Sequence, residues 1–198
     1  MTARFSVSSF FLILLIAVAG CAGTQPAPKI PEPAPDLPLV DGKSLPSIEI
    51  VELVTDIPGG RILGWHYEGE DYRRVYDYRW DESFSNHTEL MNLHTVDVME
   101  EAGYELSLSD ADRVRLTAVM RKVTYNSYAR KIRFNQAECE VRWQLFRMGE
   151  EKPYATVVST GEARADDIQA GAMIGAYDVA LRRLLAGDEF AAALKEVR

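Results

Sequence analysis

The run Ala137-Glu138-Cys139-Glu140-Val141-Arg142-Trp143-Gln144-Leu145 alternates apolar and polar side chains at every position. Successive side chains of a β-strand point to opposite faces of the sheet, so the run predicts a strand with one buried face and one face in water. Residues 149–153 contain Gly149 and Pro153 and predict a hairpin loop, and residues 154–163 predict the partner strand. We therefore expect a long antiparallel hairpin in this part of the chain.

Upstream of the hairpin, the same alternation predicts further strands. We expect them over residues 47–55, 61–67, about 75–80, 104–108 and 113–120. The alternation slips at Arg121-Lys122 and resumes at Val123, which predicts a β-bulge at that point.

Capping residues and helical spacing predict two main helices. The first begins after an N-cap at Ser85 or Asn86 and ends at Gly103. The second begins after an N-cap at residues 166–167 and ends at Gly187, and a last short helix follows it. One apolar face of the second helix is formed by Ala170, Met173, Ile174, Tyr177, Leu181 and Leu184. Phe190 and Leu194 are expected to dock the last short helix. The order of elements predicts a two-layer α+β fold, a mostly antiparallel sheet with two main helices packed on one face.

Composition limits the class of protein. The chain has 198 residues, of which 47% are hydrophobic and 26% are charged, as in ordinary globular proteins. Residues 47–198 are enough for a single domain with its own core. A formal charge of −8 does not supply the positive surface that binds a phosphate backbone, so no nucleic-acid partner is expected. Two cysteines cannot form a multi-disulfide scaffold.

Residues 1–20 have the organisation of a secretory signal peptide. Arg4 provides the positive start, and an apolar stretch runs from residue 5 to residue 19. That stretch is too short to cross a hydrocarbon core of about 30 Å comfortably. The next feature, Val18-Ala19-Gly20-Cys21, resembles the bacterial lipobox. The resemblance implies cleavage before Cys21 and attachment of diacylglycerol and a further fatty acid such as palmitate to it. The alternative is a plain secretory signal with an unrelated cysteine.

The residue after the cysteine bears on the destination of the protein. It is Ala22 and not Asp, which by resemblance to Gram-negative lipoproteins implies the periplasmic face of the outer membrane. Each buried methylene contributes about 0.8 kcal/mol to membrane binding, so several acyl chains at Cys21 would form a lasting membrane anchor.

Residues 21–46 read as a tether between the acylated cysteine and the domain. Seven of the nine prolines lie between Pro26 and Pro46. Proline lacks a backbone N–H and favours polyproline II, which excludes helices and sheet ladders and produces a semi-rigid spacer. A flexible tail without a spacing role is the alternative.

The sequence contains no GxSxG, HExxH, P-loop, CxxC or dinucleotide-binding glycine pattern. His87 and His94 are two turns apart on one predicted helix, too distant to bind one metal ion. Cys139 lies on the apolar side of its strand, where a thiol packs as a small hydrophobe. We therefore expect no catalytic residue, no metal site, no cofactor and no enzymatic activity.

Aromatic and arginine side chains concentrate in residues 67–80, here named the aromatic–arginine segment. Tyrosine, tryptophan and arginine are enriched at the centres of protein–protein interfaces, so the segment is a candidate partner-binding surface. A strand with one buried aromatic face is the alternative. The candidate residues are Tyr67, Tyr72, Arg73, Arg74, Tyr76, Tyr78, Arg79 and Trp80.

The order of these features resembles a known group of proteins. Signal, lipobox and Pro-rich tether precede Tyr78-Arg79-Trp80, a helix ending at Gly103, long strands, and the C-terminal motif Ala180-Leu181-Arg182-Arg183-Leu184-Leu185. The whole is similar to the small Gram-negative lipoproteins that serve as auxiliary components of ABC or MCE-type lipid transport, and also to the YajG-type lipoproteins. The resemblance implies a non-enzymatic protein whose partners are transporter subunits.

The sequence thus predicts a membrane-anchored binding or adaptor protein of the bacterial periplasm. The membrane is one partner, through the lipid on Cys21, and an envelope protein is the other. Two alternatives stay open. One is a lipid-binding or envelope-assembly factor with an apolar groove between sheet and helix. The other is an enzyme, which a pocket containing hydrogen-bonded titratable groups would support.

Overall fold

A computed structural model describes residues 37–107, 113–129, 133–166 and 169–196. The predicted signal peptide, Cys21 and most of the predicted tether lie outside these residues. The strands are β1 (Ile48–Thr55), β2 (Ile62–Glu68), β3 (Arg73–Arg79), β4 (Val114–Ala129), β5 (Arg133–Phe146) and β6 (Ala155–Ala165). The helices are α1 (Glu82–Ser85), α2 (His87–Glu101), α3 (Gln169–Ala186) and α4 (Asp188–Lys195), with a 3₁₀ turn at Gly42–Ser44.

The strands form one six-stranded sheet in the order β3-β2-β4-β5-β6, and β1 pairs with β4. The pairs β2–β3, β4–β5 and β5–β6 are antiparallel, whereas β1 and β2 both run parallel to β4. β4 is 16 residues long, so β1 occupies the first half of its edge and β2 the last residues. The predicted α+β fold with a mostly antiparallel sheet is confirmed.

The alternating run that predicted the fold lies in the middle of β5. Its apolar members, from Ala137 to Leu145, are buried in the core. The predicted bulge is also present, because the register between β4 and β5 shifts between Met120 and Lys122. β6 follows as the partner strand of the predicted hairpin.

Both main helices lie on the same side of the sheet. α3 packs on β5 and β6, and α2 packs on α3 and β1. The approach of α3 to β6 is close at Gly161, where an added Cβ would lie 1.8 Å from the carbonyl oxygen of Ala176. Between the layers, the Trp143 indole N–H donates to Ser159 Oγ at 2.8 Å, and the Ser159 hydroxyl donates to the Ala180 carbonyl at 2.7 Å. The Trp143 indole and the Ser159 hydroxyl are therefore both paired inside this core.

Two local expectations are corrected. The strand expected at residues 104–108 is a single bridge between Leu106 and Ile48 in the described part of the chain. The Tyr104 N–H instead donates to the Met99 carbonyl at the end of α2, at 3.0 Å, and the Tyr104 ring packs against Phe190 of α4. The helix α2 does end before Gly103, whose φ of +81° favours glycine, but Asn86 at its start makes no side-chain cap hydrogen bond.

The last residues of the predicted tether contact the domain. Val40 N–H donates to the Leu185 carbonyl at 3.1 Å, and Gly42 N–H donates to the Ala102 carbonyl at 3.1 Å. Leu45 is buried in the main core. The packed part of the chain thus begins before Ser47, because these residues cover the ends of α2 and α3.

Candidate functional site

A polar pocket of about 310 Å³ lies at the end of the sheet where β4 leads towards β5. Side chains with hydroxyl, imidazole, carboxylate, amide and guanidinium groups line it together with aromatic residues. The polar lining residues are His66, Glu68, Tyr78, Ser127, Arg133, Asn135 and Asp166. This mixture can both donate and accept hydrogen bonds, and it includes groups able to exchange protons.

Strand pairing brings the central residues of this pocket together. His66 of β2 and Ser127 of β4 are direct partners in the parallel ladder. Glu68 lies two residues after His66, and alternation along β2 puts both side chains on the same face. Tyr78 comes from β3, which pairs antiparallel with β2. Three neighbouring strands therefore each contribute to one hydrogen-bonded group.

The side chains form a continuous chain of hydrogen bonds. Tyr76 and Tyr78 hydroxyls are 3.3 Å apart, and Tyr78 Oη lies 2.7 Å from Ser127 Oγ. Ser127 Oγ is 2.5 Å from His66 Nδ1, and His66 Nε2 is 3.3 Å from Glu68 Oε1. An ionised carboxylate only accepts hydrogen bonds, so His66 must carry a proton on Nε2. For a neutral imidazole this leaves the Nδ1 lone pair facing the Ser127 hydroxyl.

Neighbouring aromatic rings hold these hydrogen-bonded side chains in place. The His66 ring stacks on the Tyr76 ring at 4.7 Å between centroids, with an angle of 14° between planes. The Tyr78 ring meets Tyr125 edge to face at 4.7 Å. Burial raises the pKa of Tyr78 to about 12, against the lowering effect of its hydrogen bond with Ser127. Tyr78 is therefore protonated at neutral pH and can donate to Ser127.

The structure divides the aromatic–arginine segment between core, pocket and surface. Trp80 is buried in the main core beside Phe84, and Tyr67 is buried in a separate small cluster. Tyr78 is half-buried in the pocket, whereas Tyr76 is 49% exposed. The segment is thus partly a strand with buried aromatic side chains and partly an exposed surface.

The arginines of the segment belong to β3, the strand at one edge of the sheet, and their side chains are exposed. Arg74 stacks over the Trp65 ring at 4.9 Å from its centroid. Arg79 pairs with Asp77 and donates to the Gly60 carbonyl at 3.3 Å. Arg73 begins the strand and is exposed. Tyr72 precedes it in the turn with a φ of +52°, a conformation that non-glycine residues rarely adopt.

Tyr67 belongs to an aromatic row that crosses the sheet. Tyr67 of β2, Tyr128 of β4 and Phe134 of β5 are register partners, with ring centroids 5.1 and 4.5 Å apart. Arg164 of β6 closes the row over Phe134, 4.1 Å from its centroid. The cluster is separate from the main core, so it stabilises the pocket end of the sheet on its own.

Of the other titratable groups considered from the sequence, Cys139 and His94 have structural roles. Cys139 is buried, and burial raises the pKa of its thiol to about 12, which makes it unreactive at neutral pH. His94 Nε2 lies 2.8 Å from Asp178 Oδ1 and joins α2 to α3. Burial lowers the pKa of His87. Within the described ranges, no group of three potential metal ligands comes together.

Sequence reasoning missed the residues that build the pocket around Tyr78. Ser127 continues the buried phase of β4 after Val123 and Tyr125, so it is a polar residue at a core position. That signal was present in the sequence. The partnership of Ser127 with His66 was not, because it depends on a parallel pairing between strands that are far apart in the chain.

No family model matches the chain, and no curated protein matches it. Similar solved structures include a Xanthomonas campestris protein of family-model DUF330, with 13% identity and a TM-score of 0.43, covering 79% of this chain and 91% of that chain. A minor lipoprotein from Acinetobacter baumannii has 17% identity and a TM-score of 0.29, covering 56% of this chain and 82% of that chain. That description applies to the Acinetobacter baumannii protein. The lipid anchor predicted for this chain rests on residues 18–21 of its own sequence.

None of the helices within the described ranges combines the length and the apolar character needed to span a bilayer.

Proposed function

We propose that the protein is a lipid-anchored recognition domain of the bacterial cell envelope. Cys21 carries the lipid, the Pro-rich segment sets the reach of the domain, and the exposed part of the aromatic–arginine segment binds an envelope protein. The observation that carries this proposal is the exposed aromatic and basic edge strand β3.

Close packing between the sheet and the helices, where the described residues show it, favours protein recognition over lipid carriage. A lipid carrier needs an apolar cavity between sheet and helices large enough for an acyl chain. The gap near Asn92, Trp143 and Tyr177 has no room for a water-sized sphere. The larger pocket at the end of the sheet has a mostly polar lining and suits an acyl chain poorly.

The exposed edge supplies the features of a binding surface. β3 lies at one end of the sheet order, and Val75 and Tyr76 on it are 45% and 49% exposed. An edge strand presents unpaired backbone groups, and arginine and tyrosine side chains are frequent anchors of protein interfaces. Attachment to one membrane raises the effective concentration of a partner that shares it, so a modest affinity is sufficient.

The resemblance noted from the sequence suggests which partners to look for. Auxiliary lipoproteins of lipid transport systems act beside transporter subunits, and we propose such subunits as the partners of this domain. Ala22 after the acylated cysteine supports placement at the outer membrane. The proposed partners and the proposed location both make the recognition role more specific, and neither depends on the polar pocket.

Removal of the acyl acceptor tests the anchor. Cys21→Ala should abolish incorporation of labelled palmitate and release the protein into the soluble fraction after cell lysis. Cys139→Ala is the matched control, because it removes the other cysteine and should leave labelling unchanged. Labelled, membrane-bound Cys21→Ala protein would refute the anchor at this residue.

Site-specific photo-crosslinking tests the surface. A photo-reactive residue replacing Tyr76 on β3 should trap an envelope protein in intact cells. The matched control replaces Val158 on β6, which is 53% exposed at the opposite edge of the sheet. Adducts from Val158 and none from Tyr76 would move the interface to the other edge and contradict the proposal.

A further inference from the structure

We propose that Ser127 is the nucleophile of an acyl-transfer site that hydrolyses small esters, with His66 as the general base and Glu68 as the residue that positions it. This inference departs from the expectation of a non-enzymatic protein. It does not rest on the anchor or on the partner surface.

The arrangement meets the geometric requirement for an activated serine. A nucleophile must lie within hydrogen-bond reach of a base, and a third group must orient that base. Ser127 Oγ lies 2.5 Å from His66 Nδ1, and His66 Nε2 lies 3.3 Å from Glu68 Oε1. All three residues line one pocket, so a substrate that enters the pocket meets the serine.

The hydrogen-bond directions support the same roles. The Glu68 carboxylate accepts from His66 Nε2–H, which leaves the Nδ1 lone pair to accept from the Ser127 hydroxyl. Ser127 Oγ in turn accepts from Tyr78 at 2.7 Å. Each group in this arrangement uses its single proton once. The resting site is therefore poised for proton transfer from Ser127 to His66.

Tyr78 and Arg133 provide stabilisation for developing negative charge. When Ser127 Oγ becomes part of an ester it accepts hydrogen bonds less strongly, so the Tyr78 hydroxyl can donate to the adjacent oxyanion. Arg133 lines the same pocket and adds a positive charge. Donors directed at the oxyanion are often the largest contribution to acyl-transfer catalysis.

The reaction balances with water as the only co-reactant. Ser127 Oγ bonds to the ester carbonyl carbon while its proton moves to His66 Nδ1. The carbon–oxygen bond to the leaving group then breaks, and the same proton passes to the departing alkoxide. Water attacks the acyl-serine, gives a proton to His66, and the carboxylic acid leaves as Ser127 recovers its proton.

The pocket limits the substrate. About 310 Å³ is at the lower end of the range for small-molecule sites, and the lining is mostly polar. A long acyl chain would lie against charged groups there. We therefore assign esters of short acyl groups, such as acetyl, on polar alcohols.

Covalent labelling of the unmodified protein is the decisive test. The full-length mature protein is incubated with diisopropyl fluorophosphate and analysed by intact and peptide mass spectrometry. We expect one adduct, located on Ser127. The control variant Ser107→Ala should form the same adduct, whereas His66→Gln should lower the rate of adduct formation at least about 100-fold. No adduct, or an adduct elsewhere, overturns the proposal without any variant having to fold.

Hydrolysis of p-nitrophenyl acetate provides the second measurement. Ser127→Ala should lower kcat/KM at least about 100-fold, with circular dichroism confirming that the variant folds. Glu68→Gln should lower the labelling rate about 10-fold or more, and Glu68→Asp should restore part of it, because only the charged group orients His66. Equal rates for Gln and Asp variants would refute the positioning role of Glu68. Undiminished hydrolysis by Ser127→Ala would refute the nucleophile.

Discussion

The two ends of one sheet differ sharply in what fills the buried positions. At one end Leu116, Met120 and Trp143 lie under α2 and α3 with almost no exposed surface. At the other end, beyond the bulge between Met120 and Lys122, the buried positions of β4 resume at Val123 and reach Ser127, which faces His66 and a pocket. β4 pairs with β5 on both sides of the bulge, but beyond it the buried phase is shifted and the composition of the buried positions changes. The comparison shows that a site can arise where a strand keeps its pairing but leaves the apolar core.

Truncation of the largest core side chain should separate the two ends most clearly. Trp143→Ala removes a fully buried ring and its hydrogen bond to Ser159, so it should cost about 3–5 kcal/mol of unfolding free energy. Tyr76→Ala at the pocket end should cost about 1 kcal/mol or less, because half of that side chain is already exposed. Urea unfolding measures both. Similar losses would mean that the two ends are equally packed.

Two buried serines allow a finer test. Ser159→Ala leaves the Trp143 N–H without an acceptor in a dry core, which should cost about 1–3 kcal/mol. Ser127→Ala should cost about 1 kcal/mol or less, because water in the pocket can replace the lost hydroxyl. The difference in urea midpoint between the two variants is the measurement. A larger loss for Ser127→Ala would show that the pocket end is the drier one.

The smallest expected effect is a pH dependence at the helix-covered end. Burial tends to raise the pKa of Asp178, but hydrogen bonds and charges from His94 and Arg182 outweigh it and hold the pKa below the ordinary aspartate value. The resulting stability is present above the unfolded-state pKa and is lost as pH falls through the lower folded-state value. The ion pair is partly exposed, so about 1 kcal/mol or less is expected.

Asp178→Asn should flatten this acid branch of the stability curve. Urea midpoints measured from neutral pH down to about pH 3 give the comparison with the unmodified protein. An unchanged acid branch would show that Asp178 does not contribute to it. The pocket end offers the contrast, since Glu68→Gln should leave this branch in place.

The sequence predicted the helix-covered end well, and for a physical reason. Alternation in β5 and helical spacing in α3 are local patterns, and burial enforces both of them. The pocket end depends on non-local pairing of His66 with Ser127, and on which faces of β3 stay exposed. Local patterns contain neither fact. The aromatic–arginine segment could therefore be located but not divided into core and surface.

The parallel docking of β1 and β2 on β4 has a consequence for the order of assembly. Ile48 pairs with Val114, and His66 pairs with Ser127, so the first strands of the chain bind an edge made much later in synthesis. The β4–β5–β6 meander and α3 join residues that are close in sequence and can form early. Long-range parallel pairing is slow because the chain loses the entropy of loop closure before the new strand contacts can stabilise it. We expect the N-terminal strands, and with them the pocket, to be completed last during folding.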